Sequence, residues 1–208
     1  MAQEVIAPPY DVINAREASD LAKGRPNSFL HVSRPEIDLE KNIQYNDPSV
    51  YEMGKQNLRK MIEDDVLIED AEDMIYLYEM IDDDIHQLGI AAVSSVEAYE
   101  ENLIKRHEFT KPDKELDRVN NISSLNAQTG PVLLTYRDNE KLSSLLEMIS
   151  DRESPIYDVK SIDGISHRIY QENQSEEQRE ILDLINSMDA LFIADGHHRS
   201  AAAAVVTW

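Results

Sequence analysis

"MIYLYEMIDDDIHQLGIAAVSSVEAY", residues 74–99, decides the fold class. Residues 74–81 and 86–99 read as two strands, rich in β-branched and aromatic side chains. The acidic turn at residues 82–84 is far too short for a helical crossover, so the two strands run antiparallel. A second pair, "PIYDVKSI" (155–162) and "ISHRIYQE" (165–172), flanks Asp163-Gly164 in the same way. Around these pairs stand helical stretches. Residues 14–24 open on Asn and close on Gly, and residues 47–65 open on Asp then Pro; further helices are expected over 113–126, 139–150 and 175–187. Single strands are expected at "FLHVSR" (29–34), "PVLLTYR" (131–137) and "ALFIA" (190–194). His31 then reads as a structural strand residue, and the tyrosines of residues 74–80 as packing residues. Antiparallel pairs mixed with strand-helix-strand units predict an α+β fold, a mixed sheet with antiparallel pairs packed by helices and not a doubly wound nucleotide fold. No Pro/Gly/Ser-rich linker divides the chain, so residues 1–208 read as one domain.

Composition narrows the function classes. The 20 Lys and Arg against 41 Asp and Glu leave a net charge of −21. Such a surface repels phosphate backbones at long range, which argues against a nucleic-acid partner. A small anion held in a local basic pocket stays open. No apolar run approaches the roughly twenty residues of a membrane span, and the N-terminus lacks a basic start and apolar stretch, so a cytoplasmic protein without a membrane partner is expected. The absence of cysteine excludes thiolate metal sites and thiol nucleophiles.

Two constellations concentrate the chemistry. In the first, "ALFIADGHHRSAAAAVV", a continuous apolar run predicts a strand buried on both faces, and the alanines after it predict a helix. "DGHHR" is then a tight strand-to-helix turn, where unpaired N–H groups and the helix dipole favour an anion. Gly196 lets the backbone approach a phosphate and Arg199 can grip it with two hydrogen bonds. Asp195 suits a metal, a proton or a helix cap better than an anion. The plain alternative is a turn and cap with His197 and His198 partly exposed. A sharper rival is a metal-dependent hydrolase with Asp195, His197 and His198 as ligands, although adjacent histidines diverge at a helix start and a further ligand is needed.

The second constellation, "KRHEFTKPDKELDRVNN" (105–121), gathers Lys105, Arg106, Lys111, Lys114 and Arg118 against the acidic background. Thr110 and Asp113 resemble a capping box, after which Lys114, Asp117 and Arg118 share one helical face. That face can clamp phosphate, with His107 or Glu108 placed for proton transfer. A solvated helix laced with ion pairs is the plain alternative.

In chain order "APPYDVI" (7–13), "FLHVSRPEIDL" (29–39), "RHEFT" with the following Lys and Asp-Arg (106–118), "GPVLLTY" (130–136) and "DGHHR" (195–199) resemble DUF1015, an uncharacterised family often labelled ParB-like. "DGHHR" itself is similar to the phosphate-binding turn shared by the ParB N-terminal domain, sulfiredoxin and the free serine kinases. The resemblance implies that Gly196, His197, His198, Arg199 and Ser200 hold nucleotide phosphates. It further implies ATP or ADP, or CTP, as ligand, and a magnesium ion held partly by Asp195. Glu108 or Glu36 then takes the substrate proton, while Arg106, His107, Lys114 and Arg118 bind substrate. The function expected is a small-molecule, free-serine-like kinase. A non-catalytic ParB-like nucleotide switch is its alternative, and the metal-dependent hydrolase is third. Tyr10 and Asp11 gain a pocket-lining role on the same resemblance. Family members extend beyond both ends of this chain, so it is expected to be the N-terminal half of a longer protein.

Overall fold

The computed structural model describes residues 1–40, 43–172 and 175–206. The domain end placed at residue 208 lies outside the described residues. The chain opens with helices α1 (Ala2–Val5), α2 (Ala15–Ala22), α3 (Leu30–Ser33) and α4 (Pro48–Glu63), then strands β1 (Ile75–Asp82) and β2 (Ile85–Ala91) and helix α5 (Val96–Glu100). Strand β3 (Ile104–Lys105), helix α6 (Pro112–Leu125), strand β4 (Leu133–Thr135) and helix α7 (Glu140–Arg152) follow. Strands β5 (Tyr157–Lys160) and β6 (Ser166–Glu172), helix α8 (Ser175–Asn186), strand β7 (Leu191–Asp195) and helix α9 (His197–Val205) complete it. No helix among the described residues is long and apolar enough to cross a membrane.

Helix starts follow from local chemistry. The Asn14 side chain accepts from the Arg16 and Glu17 N–H groups while Glu17 reaches back to the Asn14 N–H, a full capping box for α2. Asp47 caps α4, with Pro48 at the first position, where the missing N–H costs nothing.

The fold is α+β. Four antiparallel strands in the order β2-β1-β6-β5 form one sheet, and β3-β7-β4 form a second, in which β7 pairs parallel with β3 and antiparallel with β4. Ile75, Leu77 and Tyr170 of the first sheet pack against Leu142, Leu145, Leu146 and Ile149 of α7 and Ile181 of α8. A smaller core joins Tyr99 of α5, Ile104 of β3, Ile193 of β7 and Ala201 of α9. The helical N-terminal part has its own apolar contacts, Ala18 and Ala22 with Leu30, and Val32 with Met61 and Leu125.

Several expectations are corrected. "FLHVSR" is not a strand: residues 30–33 form α3, followed by a 3₁₀ turn at Pro35–Asp38. Its length of one helical turn defeats any periodicity argument, and contacts with α2 and α4 decide it. His31 is therefore a helix residue, with Nδ1 2.9 Å from Asp38 and Nε2 3.2 Å from the Arg25 carbonyl. The second hairpin strand ends at Ala91; Ser95 then accepts from the Ala98 N–H and starts α5. The tyrosines of β1 do more than pack, since the Tyr78 hydroxyl lies 2.5 Å from His167 Nδ1 and that of Tyr76 donates to Asp70. Strand β7 is buried on one face alone: Ile193 points inward, whereas Phe192 is 37% exposed and Ala194 is exposed.

Candidate functional site

Strand β7 delivers the chain to Gly196, whose φ of +98° is a left-handed conformation that L side chains adopt with strain. A Cβ there meets Val132 Cγ2 at 3.2 Å and Arg199 Nε at 3.3 Å. Helix α9 begins at once, and no side chain caps it, so Asp195 is not the helix cap. Ser200 makes the first helical bond, to the Gly196 carbonyl at 2.9 Å. The N–H groups of His197, His198 and Arg199 thus have no acceptor within the helix and carry the positive end of its dipole.

Both histidines of the turn face the segment before α6. His197, 6% exposed, meets the His107 ring edge-on at 4.4 Å, and its Nε2 lies 3.5 Å from the donating His107 N–H. The Lys111 N–H donates to His198 Nε2 at 3.1 Å. An Nε2 that accepts is unprotonated, so the Lys111 bond selects the neutral ring of His198. Burial, and after it the charges of Lys114 and His197, lower the His198 pKa, against the opposing pull of Glu108 and Glu115. The divergence expected of neighbouring histidines is therefore resolved by one loop that supplies a separate N–H to each. The capping box at Thr110 and Asp113 does not form. Lys111 occupies the cap position without a side-chain bond, Pro112 follows it, and Thr110 Oγ1 donates to Glu115 at 2.6 Å.

Arg199, 13% exposed, lies on the other side of the turn. It pairs with Asp195, donates to the Pro131 carbonyl, and lies 3.7 Å from Asp11. Gly130 leaves room for it, because a Cβ there would stand 2.9 Å from Arg199 Cδ. Among the described residues no three or more His, Asp or Glu side chains gather as a metal site.

Arg118 is held by Asp117 at 3.0 and 2.5 Å and lies 4.4 Å above the Tyr10 ring. Tyr51 donates to the same Asp117 at 2.7 Å; burial first, then that bond, pushes its hydroxyl up to about 12. Arg118 and Arg199 help to wall a cavity of about 30 Å³, along with Ser33, Asn121, Gln128 and Thr129. The Ser33 hydroxyl is buried and has no hydrogen-bond partner among the described residues. The space suits a group about the size of one water.

The structure thus brings Gly196 to Ser200 together with His107, Lys111, Asp11 and Arg118, and Lys114 and Glu108 lie close enough to act on His198 by charge. Arg106, itself exposed, lies 4.9 Å above the ring of Tyr99, a residue of the small core. Glu36 is not joined to the turn by any hydrogen bond or ion pair among the described residues. Its carboxylate accepts from Arg34 at 2.7 Å, and Arg34 holds the Tyr10 and Ile13 carbonyls. Sequence reasoning missed Ser33, which lay in the misread strand, and also Asn121, Gln128 and Thr129. The Gly130-Pro131 pair was a legible turn signal that pointed to the last two.

The family described as "Protein of unknown function (DUF1015)" matches residues 1–207. No curated protein and no solved structure matches.

Proposed function

On the premise that the chain belongs to the DUF1015 family, whose description assigns no activity, we propose that it binds a nucleotide at the start of α9 and acts as a small-molecule kinase. The observation that carries this is the uncapped helix start at Gly196, with Arg199 packed beside it and three backbone N–H groups left without a helical acceptor. Aligned N–H groups and a guanidinium are what a phosphate recognises. A protein of net charge −21 has to concentrate such donors to hold an anion at all.

In this reading the phosphates of ATP or ADP, or CTP, lie on the N–H groups of residues 197–199, with Ser200 within the same turn. Arg199 leaves Asp195 for a phosphate oxygen, exchanging one anionic partner for another. A magnesium ion fits the donor set, because Asp195 and Asp11 both face Arg199 and magnesium takes one or two carboxylates along with phosphate oxygens. When bound it neutralises charge on the transferred group. The acceptor lies on the side of the turn where the loop of His107 to Lys111 meets His197 and His198. Its hydroxyl oxygen attacks the terminal phosphorus, the bond from phosphorus to the bridging oxygen breaks, and the proton passes to Glu108. Glu108 is preferred to Glu36, whose carboxylate is held by Arg34. His107, Lys114 and Arg106 then act on the substrate side. Positioning and charge stabilisation suffice for phosphoryl transfer.

The test is thermal stabilisation by pyrophosphate, ATP, ADP and CTP with magnesium, for the native chain and Arg199→Ala. A ligand at a hundredfold its dissociation constant adds about 2.7 kcal/mol. The expected result is a shift that the variant loses relative to its own baseline. If none of the four shifts the native protein at millimolar concentration, the reading fails. A second reading, the ParB-like nucleotide switch, draws on the internal Asp195–Arg199 pair, which a phosphate would open. Binding without phosphorylated product selects it.

A further inference from the structure

We propose that Phe109 is the platform on which the nucleotide base stacks, an inference that rests on phosphate binding at the start of α9. Phe109 is fully exposed, although the loop that bears it is not loose. Two residues before it the His107 N–H meets His197, and two residues after it the Lys111 N–H bonds His198. Thr110 is held in turn by Glu115. Two residues span at most about 7 Å, so Phe109 stands within that distance of His107 and Lys111, whose N–H groups meet the imidazoles of the turn. A lone exposed apolar residue is ordinary on a protein surface. An aromatic one on a loop anchored at both sides to the histidines of the turn is in position to meet what a phosphate brings with it.

The chemistry selects the occupant. A nucleotide joins a charged phosphate chain to a flat apolar base through one ribose. The turn meets the first with N–H groups and Arg199, and the Phe109 ring meets the second. Every base has a π face, so stacking on phenylalanine gains affinity without distinguishing adenine from cytosine. The ligand class is therefore a purine or pyrimidine nucleotide, in preference to inorganic polyphosphate.

The experiment is isothermal titration of the whole chain with ATP and with pyrophosphate, magnesium present, for the native protein, Phe109→Ala and Phe109→Trp. Because the side chain is fully exposed, its removal leaves the fold intact, and equal melting temperatures check this. Phe109→Ala is expected to weaken ATP about tenfold and leave pyrophosphate unchanged. Phe109→Trp is expected to restore ATP affinity, and its fluorescence to be quenched by ATP and not by pyrophosphate. If native protein binds pyrophosphate as tightly as ATP, or Phe109→Ala leaves ATP affinity unchanged, the stacking role is overturned while phosphate binding stands. If neither ATP nor pyrophosphate binds the native protein, phosphate binding at the turn falls and takes the stacking role with it.

Discussion

Gly196 and His198 stand two residues apart and answer to different physics. At Gly196 a side chain would have to adopt φ of +98° and press on Val132, so Gly196→Ala is expected to lower stability by about 1–3 kcal/mol. Urea unfolding checks this, and an unchanged midpoint would mean that the turn relaxes freely. His198 is a matter of protons. Its pKa in the folded chain lies below the ordinary 6.5, through burial first and the charges of Lys114 and His197 second. The unfolded chain then binds the extra proton more readily, so stability rises with pH across that interval. The contribution is fully present above 6.5 and is lost as pH falls through the lowered folded value. Melting temperatures of the native chain and His198→Gln, taken from pH 8 down to pH 5, are expected to differ most at the acid end. Parallel curves would show that the ring titrates as in the unfolded chain.

Elements were legible in the sequence where their signals were local. The two hairpins, the Asn14 helix start and the Asp47-Pro48 start each depend on residues a few positions apart, and each formed as expected. "FLHVSR" failed because six residues cannot separate one turn of helix from a strand, and neighbours from α2 and α4 settled it. Strand β7 formed where expected but is not buried on both faces, since an apolar run says nothing about how many faces are covered. The turn at Gly196 was readable, but the bonds from His107 and Lys111 to its histidines cross 90 and 87 residues and leave no local trace. Glu79 is the other hidden element-scale feature. An acid in a strand reads as solvent-facing, yet its side chain is 8% exposed on the inner face of β1. Tyr170 donates to it at 2.6 Å, His86 lies 2.5 Å away and Arg168 3.4 Å. Burial would raise its pKa, and these partners together hold it below the ordinary carboxylate value. Glu79→Gln keeps the shape and loses the charge, leaving Arg168 and Tyr170 with a weaker acceptor. A loss of about 1–3 kcal/mol in urea unfolding is expected, and Tyr170→Phe should cost less. Equal stability in Glu79→Gln would show that the cluster adds nothing net to the β1–β6 pairing.

Across the whole molecule the surplus of acid sets a term that no single contact reveals. With 41 acidic against 20 basic side chains, repulsion among uncompensated carboxylates destabilises the compact chain more than the expanded one. Salt screens that repulsion, because the Debye length shrinks from about 30 Å at 0.01 M to about 10 Å at 0.1 M. The same salt weakens the surface ion pairs, such as Arg59–Glu63 and Lys141–Glu180, but exposed pairs contribute roughly 0–1 kcal/mol each and several contribute nothing measurable. Twenty-one unbalanced charges outweigh them. Sodium chloride raised from 0.01 to 0.15 M is therefore expected to raise the melting temperature, by about 2–4 °C for each kcal/mol of relieved repulsion. A fall on adding salt would mean that the ion pairs dominate. The same field opposes any anion that approaches the α9 turn, so nucleotide association is expected to quicken with salt in stopped-flow measurements. That is the reverse of steering by a basic protein, and it separates the distant field from the local donors at Gly196 and Arg199.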